Sequence, residues 1–217
     1  MKVCEMFYSI QGEGLTTGKT AFFIRLSGCN LTCSFCDSKY SWGEGTEMTV
    51  EQIAEAAKPY AHIVITGGEP LTQRTELYRL LKLLENKYIE VETNGSLKPC
   101  QGTLLRVDQF NISIKLSNSG IPKEQRIVPE VIEYYINYSL PHCWFKFVVT
   151  DEESVKEIEE IVTQFKIPAS HVVLMPEGKT HEEISSKAPF VVDMCKRYGF
   201  RYSTRLHIDI WGNKKGV

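Results

Sequence analysis

The sequence predicts an α/β fold, a partial, open β/α barrel of about six β-α units. Strand-like and helix-like segments alternate along almost the whole chain, and this alternation is typical of parallel β-α-β units. A closed eight-fold barrel usually needs about 250 residues, whereas this chain has 217. No internal repeat, low-complexity stretch or linker interrupts the sequence, so we expect residues 1–217 to form a single domain.

Short apolar runs bounded by turn residues predict the strands, which we expect near residues 20–26, 61–66, 88–92, 109–114, 144–149, 170–175 and 200–204. Apolar residues at helical spacing predict the helices, at residues 50–58, 73–86, 154–165 and 182–198. Asp151 is a candidate N-cap for the third of these helices. Pro189 lies inside the fourth helix and is expected to interrupt it.

The composition is typical of a globular protein, with 42% hydrophobic and 24% charged residues. With a formal net charge of −2, the chain has no excess positive charge to attract nucleic acid or an anionic membrane, so we expect neither partner. No apolar run approaches the roughly 20 residues of a membrane span, and Glu5 stands where the apolar region of a signal peptide would begin. Seven cysteines, an odd number with three in one run, argue against a disulfide framework and indicate a reducing, cytoplasmic compartment.

Three cysteines, Cys29, Cys33 and Cys36, lie in one short run at intervals of four and three residues. A [4Fe–4S] cube bound by protein alone takes four cysteines, so three leave one iron open to bind and activate a small molecule. A structural zinc site also takes four ligands, and no histidine lies near the run. Zinc with a distant fourth ligand and a chance cluster of thiols stay open as alternatives at this point. We interpret the scattered remainder as ordinary thiols: Cys4, Cys100, Cys143 and Cys195.

A second motif, Gly67-Gly68-Glu69-Pro70, follows the strand predicted at 61–66. The glycines allow backbone groups to approach a ligand closely, and Glu69 can accept hydrogen bonds from an ammonium group. Such a tetrapeptide alone is most often a turn. The cysteine run also follows a predicted strand, and parallel αβ folds place their chemistry at the carboxyl ends of strands. The two motifs together therefore indicate a ligand site.

With both motifs, the chain resembles the radical S-adenosylmethionine (SAM) enzymes. In that superfamily the cysteine triplet holds a [4Fe–4S] cluster, the methionine part of SAM chelates the fourth iron, and the Gly-Gly-Glu segment receives its amino group. The resemblance implies a fold of the radical SAM type. It also implies that Cys29, Cys33 and Cys36 hold the cluster, while Gly68 and Glu69 bind SAM.

Further motifs, which cover essentially the whole chain in order, resemble the 7-carboxy-7-deazaguanine synthase family. They lie at residues 9–14, 23–31, 36–38, 66–70, 91–95, 113–117, 174–178, 204–207 and 211–212. The resemblance implies a lyase that rearranges 6-carboxy-5,6,7,8-tetrahydropterin to 7-carboxy-7-deazaguanine with loss of ammonia, in queuosine and 7-deazapurine biosynthesis. It also implies that a 5′-deoxyadenosyl radical abstracts the substrate hydrogen, so that no side chain is expected to act as the catalytic acid or base.

The resemblance assigns substrate binding to seven positions: Ile10, Gln11, Gly12, Glu13, Arg25, Thr66 and His207. The chemistry of these residues suits that role. The rigid guanidinium fork of Arg25 matches the substrate carboxylate. Gln11 offers a donor and an acceptor on one amide, as a pterin edge requires, and Glu13 can accept from the pterin amino group.

The resemblance assigns SAM binding, besides Gly68 and Glu69, to Ser113, Ile114, Lys115, Leu174, Met175, Pro176 and Glu177. Ile114 stands where proline is usual in the family, so the sequence departs from the family pattern at that point. The family binds magnesium (Mg²⁺) through a threonine beside the last cluster cysteine. Ser38 occupies this place and keeps the hydroxyl group, so we assign the Mg²⁺ ion to it.

The resemblance also implies a homodimer and an electron donor such as flavodoxin or ferredoxin. A glycyl-radical-enzyme activating enzyme is an alternative, because it shares the triplet and the Gly-Gly-Glu segment. It acts on a protein partner and needs neither residues 11–13 nor the magnesium hydroxyl. A non-catalytic iron–sulfur or zinc protein is a third possibility, in which Gly67, Gly68 and Glu69 would meet at a strand end by coincidence.

Overall fold

The computed structural model describes residues 1–212 and 214–217, which form one nine-stranded sheet flanked by helices. The strands are β1 (Lys2–Ile10), β2 (Thr20–Leu26), β3 (Thr46–Glu47), β4 (His62–Gly67), β5 (Tyr88–Thr93), β6 (Gln109–Ile112), β7 (Cys143–Val149), β8 (Val172–Pro176) and β9 (Arg201–Tyr202). The helices are α1 (Val50–Ala57), α2 (Arg74–Leu81), α3 (Gln101–Leu104), α4 (Lys123–Arg126), α5 (Pro129–Ser139), α6 (Glu152–Phe165), α7 (His181–Tyr198) and α8 (Leu206–Trp211). None of these helices, within the described residues, combines the length and the apolar character that crossing a membrane requires.

The sheet runs in the order β3-β1-β2-β4-β5-β6-β7-β8-β9. All neighbouring pairs from β2 to β9 are parallel, while β1 pairs antiparallel with both β2 and β3. At least one helix precedes each of β4, β5, β6, β7, β8 and β9, so the described residues contain the six predicted β-α units. Within this part of the chain β3 and β9 are the two edges and do not pair with each other. The fold is therefore the predicted open barrel.

The two faces of the sheet differ in chemistry because side chains alternate along each strand. In β5, Ile89 and Val91 belong to the main hydrophobic core beneath the helices. Their neighbours Glu90 and Glu92 point to the opposite, concave face, where they accept hydrogen bonds from Gln11 in the loop after β1 and from Thr66 in β4. In β7, Lys146 lies on the same concave face. This face is polar and charged although the sheet is parallel, and it is the face that carries the site.

Helix α6 shows how the predicted helices form. The Asp151 carboxylate caps the first turn, as predicted, by accepting a hydrogen bond from the Ser154 N–H at 2.8 Å. One side of the helix is buried against the sheet through Val155, Ile158, Ile161 and Phe165. The helix ends where Lys166 takes a left-handed conformation, with φ of 54°.

Six elements were not predicted from the sequence, of which β1 and α5 are the longest; the others are β3, α3, α4 and α8. Strand β1 occupies Lys2–Ile10, where no strand was expected, and Val3 is its single buried residue. Its side chains therefore lack the clear alternation that marks a half-buried strand. Helix α5 was also missed, although its buried residues recur at helical spacing: Val131, Ile132 and Tyr135.

Pro189 does not interrupt α7, which is continuous from His181 to Tyr198. A proline inside a helix removes one N–H donor and releases the carbonyl four residues earlier, here that of Ser185. Both residues are exposed, so water can satisfy the released carbonyl. The expected break is therefore wrong, because the exposed position makes the lost hydrogen bond tolerable.

Candidate active site

A cleft of about 300 Å³ opens at the carboxyl ends of the parallel strands. Most of the residues that the sequence assigned to the site line it, namely Ile10, Gln11, Gly12, Glu13, Arg25, Cys29, Cys33, Cys36, Ser38, Thr66, Gly68, Ser113, Lys115, Met175, Pro176, Glu177 and His207. Glu69, Ile114 and Leu174 are buried outside the lining. The fold thus brings segments from both halves of the chain to one place.

The three cysteines follow β2 and face the cleft as free thiols. Cys33 packs with Leu31 and Ile121, and Cys29 and Cys36 lie against this apolar group. Burial raises the pKa of the Cys29 and Cys33 thiols, and their proximity to Cys36 adds to the rise. Because thiolates are the form that binds metals, these positions favour a ligand that brings positive charge.

The donor set fits a [4Fe–4S] cluster with one open iron. Among residues 1–212 and 214–217, these three cysteines line the cleft and no fourth one does. The same residues contain no group of three or more His, Cys, Asp or Glu side chains arranged around a single metal ion. A cube places each cysteine on a different iron, so the thiols need not converge on one point. The arrangement therefore suits a cluster better than a zinc ion.

The Gly-Gly-Glu segment lies directly against the cysteine loop. The Glu69 N–H donates to the Gly28 carbonyl at 2.8 Å, and the Gly68 N–H donates to the Leu26 carbonyl at 3.1 Å. A Cβ on Gly68 would lie 2.2 Å from the Gly28 oxygen. Because Gly68 has no side chain, the two loops can touch. The fold therefore requires glycine at this position, in addition to the predicted contact of Gly68 with SAM.

The Glu69 carboxylate is used inside the protein. It accepts hydrogen bonds from the Leu71 N–H at 3.0 Å, the Thr93 hydroxyl at 2.8 Å and the Asn94 N–H at 2.6 Å. The residue is fully buried, and burial raises the pKa of its carboxyl group although these hydrogen bonds oppose the rise. Glu69 therefore joins the loop after β4 to the loop after β5, and its contact with the SAM amino group stays a prediction.

Arg25 lies on the wall of the cleft next to the cysteine loop. Its Nε donates to Glu5 Oε1 at 2.7 Å, and its guanidinium lies 5.9 Å from the ring centres of both Phe7 and Tyr40. Tyr40 also donates to Glu5 Oε1, at 2.9 Å. The Nη atoms of Arg25 make no hydrogen bond to the described residues, so the outer edge of the fork is available to an anion in the cleft.

Glu13 forms the centre of a buried ion network. Its carboxylate accepts from the Lys146 ammonium on one oxygen and from Arg205 Nε, at 2.9 Å, on the other. Arg205 also pairs with Asp37 and donates to the Gly178 carbonyl at 2.7 Å. Burial alone would raise the pKa of Glu13, but the two cations outweigh it and hold that pKa well below its usual range.

Lys146 was not identified from the sequence, and Arg205 was noted only within a family motif. A signal for Lys146 was present, because a lysine between Phe145 and Phe147 in an apolar strand is expensive to bury without a role. Arg205 carried no comparable signal, since its partners Glu13 and Asp37 lie 192 and 168 residues away in the chain.

Gln11 connects two carboxylates beneath the cleft. Its Nε2 donates to Glu90 Oε1 at 2.8 Å and to Glu92 Oε1 at 3.1 Å, and its Oε1 accepts from the Glu13 N–H at 3.2 Å. Thr66 donates to the other oxygen of Glu92 at 2.7 Å. Burial raises the pKa of Glu92, and the nearby Lys146 opposes the rise. The Gln11 amide is thus occupied by protein partners, and its predicted contact with substrate stays a prediction.

Gly12 and His207 are in direct contact across the cleft. The Leu206 N–H donates to the Gly12 carbonyl at 2.9 Å, which brings the start of α8 over the loop after β1. A Cβ on residue 12 would lie 1.9 Å from His207 Nδ1. Burial lowers the pKa of His207, so the imidazole is neutral near pH 7. Gly12 therefore makes room for the ring at the cleft wall.

The two segments predicted to bind SAM lie at the carboxyl ends of β6 and β8, on either side of β7. The predicted strand at 109–114 stops at Ile112, and the following loop presents Ser113 and Lys115, whose Nζ donates to Ser113 Oγ at 2.9 Å. The second segment, at the end of β8, finishes at Glu177, which pairs with Lys187 at 2.5 Å.

Ser38 lies on the rim of the cleft, beside the last cysteine. Its hydroxyl donates to Asp37 Oδ1 at 2.9 Å, and Asp37 is in turn paired with Arg205. A hydroxyl and a carboxylate oxygen therefore stand together two residues or fewer from Cys36. Oxygen atoms of this kind are the ligands that Mg²⁺ prefers, and the role of Ser38 stays a prediction.

Comparisons with known proteins agree with this geometry. The Radical SAM superfamily model matches residues 23–165. A relative from Pyrobaculum aerophilum, named 7-carboxy-7-deazaguanine synthase, is 41% identical over 225 residues, with 100% of this chain and 97% of the relative covered. One of the same name from Methanospirillum hungatei is 46% identical over 86% of this chain and 77% of the relative. The crystal structure of QueE from Escherichia coli superposes with a TM-score of 0.74 over 95% of this chain and 94% of that one, and at 23% identity this likeness shows the fold. The chain belongs to the radical SAM superfamily and, within it, to the 7-carboxy-7-deazaguanine synthase family.

Proposed function

We propose that this chain converts 6-carboxy-5,6,7,8-tetrahydropterin to 7-carboxy-7-deazaguanine with loss of ammonia, as a lyase of queuosine and 7-deazapurine biosynthesis. One observation carries the proposal: a single cleft joins three free cysteines to the Arg25 guanidinium and to a floor of buried carboxylates. The family membership supports the same reaction. It also argues against the glycyl-radical-enzyme activating enzyme and the non-catalytic protein that the two motifs alone left open.

Membership in the radical SAM superfamily implies a [4Fe–4S] cluster and SAM as cofactors. In this proposal Cys29, Cys33 and Cys36 hold the cluster, and SAM binds along Gly68, Glu69 and the segments 113–115 and 174–177. When bound, the cluster supplies an electron and SAM supplies the radical that abstracts hydrogen from the substrate. The protein orients these groups and excludes water.

The substrate brings one carboxylate and a ring with amino and oxo groups. We assign its carboxylate to Arg25, because the outer edge of that fork is open to the cleft and aromatic rings flank it. We assign the ring to Glu13 and its neighbours Ile10, Gln11 and Gly12, together with Thr66 and His207. Glu13 is ionised, so it can accept hydrogen bonds from the amino group.

Magnesium is proposed at Ser38. Mg²⁺ keeps several waters and often bridges a protein oxygen to an anionic substrate. A cation at this rim would lie on the same loop as the cysteines and share the charge of the substrate carboxylate with Arg25. The Asp37 carboxylate, which accepts from the Ser38 hydroxyl, adds a second oxygen beside it.

The remaining proposals concern partners and compartment. A flavodoxin or ferredoxin is proposed as the electron donor, and a homodimer as the assembly, both from the family resemblance. All seven cysteines of the chain are free thiols, which supports a reducing compartment, and we propose the cytoplasm.

The test is a direct assay of the reaction. The protein is reconstituted with iron and sulfide under anaerobic conditions, then incubated with SAM, dithionite, Mg²⁺ and 6-carboxytetrahydropterin. Mass spectrometry should detect 7-carboxy-7-deazaguanine, and Cys33→Ala should give none. A protein that loads its cluster and cleaves SAM but leaves the pterin unchanged would overturn the proposed substrate while leaving the superfamily assignment in place.

A further inference from the structure

Lys146 is an unusual residue for the middle of a buried strand. Its neighbours Phe145 and Phe147 are fully buried on the helix side of the sheet, whereas its own side chain reaches the cleft and is 11% exposed. Lysine is almost never buried to this degree without a partner, because its ammonium loses hydration. The position therefore needs an explanation in terms of what the ammonium contacts.

The protein supplies only part of that explanation. The Lys146 ammonium donates to Glu13 Oε2, but Arg205 already binds the other oxygen of Glu13 and links it to Asp37 and Gly178. Arg205 alone can therefore orient Glu13. An ammonium has three N–H donors, and among residues 1–212 and 214–217 Glu13 is the one hydrogen-bond acceptor that Lys146 has. Two donors are thus directed into a desolvated cleft without a protein partner.

The groups that face Lys146 keep it positively charged. Glu13 from the loop after β1 and Glu92 from β5 attract the ammonium, while Arg205 repels it. Burial alone would lower the pKa of Lys146, but the two carboxylates outweigh it and the pKa is raised. Lys146 is consequently a hydrogen-bond donor at neutral pH and has no lone pair with which to act as a base.

We propose that Lys146 recognises the substrate by donating a hydrogen bond to the oxo group of the pterin ring, next to Glu13. This inference rests on the proposed function. A pterin carries an oxo acceptor next to N–H donors on one edge of its pyrimidine ring. The paired Glu13 and Lys146 side chains present the complement of that edge, an acceptor beside a donor. A ring that lacked the oxo group would leave a further N–H donor of the buried ammonium without an acceptor, so Lys146 and Glu13 together discriminate between ring types.

The test compares two substrates in three proteins. Wild type, Lys146→Met and Lys156→Met are assayed with 6-carboxytetrahydropterin and with an analogue in which hydrogen replaces the ring oxo group. Methionine keeps the length of the side chain and removes its donors. Lys156 lies exposed on α6, and its one ion pair within residues 1–212 and 214–217 is with Glu153 on the same helix. Lys156→Met is therefore the matched control and should behave as wild type.

Wild type should prefer the oxo substrate by about 10- to 100-fold in kcat/KM, the range for a hydrogen bond that involves a charged group. In Lys146→Met this preference should fall well below the wild-type value, with most of the change in KM; the part that remains comes from the ring N–H next to the oxo group, which faces Glu13 and which the analogue also lacks. A purely structural role would slow both substrates equally and leave the ratio unchanged, and that result would overturn the inference. Absence of product from a cluster-loaded wild type would instead overturn the proposed function.

Cluster absorbance and the thermal midpoint of unfolding are measured for each variant to check that it folds. If Lys146→Met does not accumulate, Lys146→Gln serves the same comparison, because its amide retains a neutral donor and should give an intermediate ratio. Failure of both variants to load a cluster, while Lys156→Met loads normally, would assign Lys146 to the fold and also overturn the inference.

Discussion

The contact between Gly12 and His207 predicts a large effect of adding one methyl group. A Cβ on residue 12 would lie 1.9 Å from Nδ1 and 2.7 Å from Cγ of the ring. The imidazole would have to retreat by about 1.5 Å to reach 3.4 Å, where ordinary contact begins. Gly12 does not have a positive φ, so alanine fits the backbone and the predicted cost is steric alone.

Overpacking of this kind typically costs about 1–3 kcal/mol of stability. For a domain of this size, a change of 1 kcal/mol shifts the thermal midpoint by roughly 2–4 °C, so Gly12→Ala should lower it by about 2–12 °C. Displacement of a group at a reacting centre by about 1 Å can reduce the rate on the order of 100-fold. We therefore expect kcat/KM to fall more than the stability loss alone would explain.

The assay is an anaerobic thermal scan of the cluster-loaded protein together with steady-state kinetics. Gly43→Ala is the control, because a Cβ there would meet its nearest neighbour, the Tyr40 carbonyl, at 4.0 Å. The double variant Gly12→Ala with His207→Ala removes the obstructing ring, so it should recover stability but not activity. If the stability losses of the two single variants simply add in the double variant, the His207 ring is not the obstacle and the steric explanation is wrong.

Three further predictions address the other parts of the site. Alanine at Cys29, Cys33 or Cys36 should abolish both the visible absorbance of the cluster and the cleavage of SAM. Cys100→Ala is the control and should retain both. Loss of the cluster in Cys100→Ala would contradict a site of three cysteines. Arg25→Lys keeps the charge but loses the fork, so the KM for the pterin should rise by an amount equivalent to about 1–3 kcal/mol; an unchanged KM would place the carboxylate elsewhere. Ser38→Ala should weaken the activation of turnover by magnesium, and Ser38→Thr should restore it. If the magnesium titrations of activity superimpose for wild type and both variants, Ser38 is not part of the site.

The fold class was predictable because its signals are local. The parallel strands β2, β4 and β8 are short apolar runs, and the apolar residues of the predicted helices recur at helical spacing. The position of the cysteine loop followed from the same signal, since Cys29 comes shortly after the apolar strand β2. Strand β1 was beyond this approach, because it lies near the edge of the sheet and buries one residue, Val3.

The roles of the polar residues were harder to predict, because they depend on distant partners. Glu69 looked like a ligand for an ammonium group, yet its carboxylate bonds to Thr93 and Asn94, which lie 24 and 25 residues further along the chain. The alternation of polar and apolar residues in β5 was a usable signal. A parallel strand covered by helices on both faces is a continuous apolar run. Glu90 and Glu92, which alternate with Ile89 and Val91, therefore indicate that one face of the sheet is a polar cleft.

Ile114 shows how tertiary contacts replace a constraint that a proline would supply locally. Proline fixes its own φ, whereas Ile114 is held by packing, with 2% of its surface exposed and its side chain in the main core. Next to it, the Arg126 guanidinium donates to the Lys115 and Ile121 carbonyls, both at 3.1 Å, and pairs with Glu157 at 2.6 Å. The pair with Glu157 links this loop to α6, and removing either partner would leave an uncompensated charge. The departure from the family pattern at Ile114 is therefore compatible with an ordered segment at the proposed SAM site.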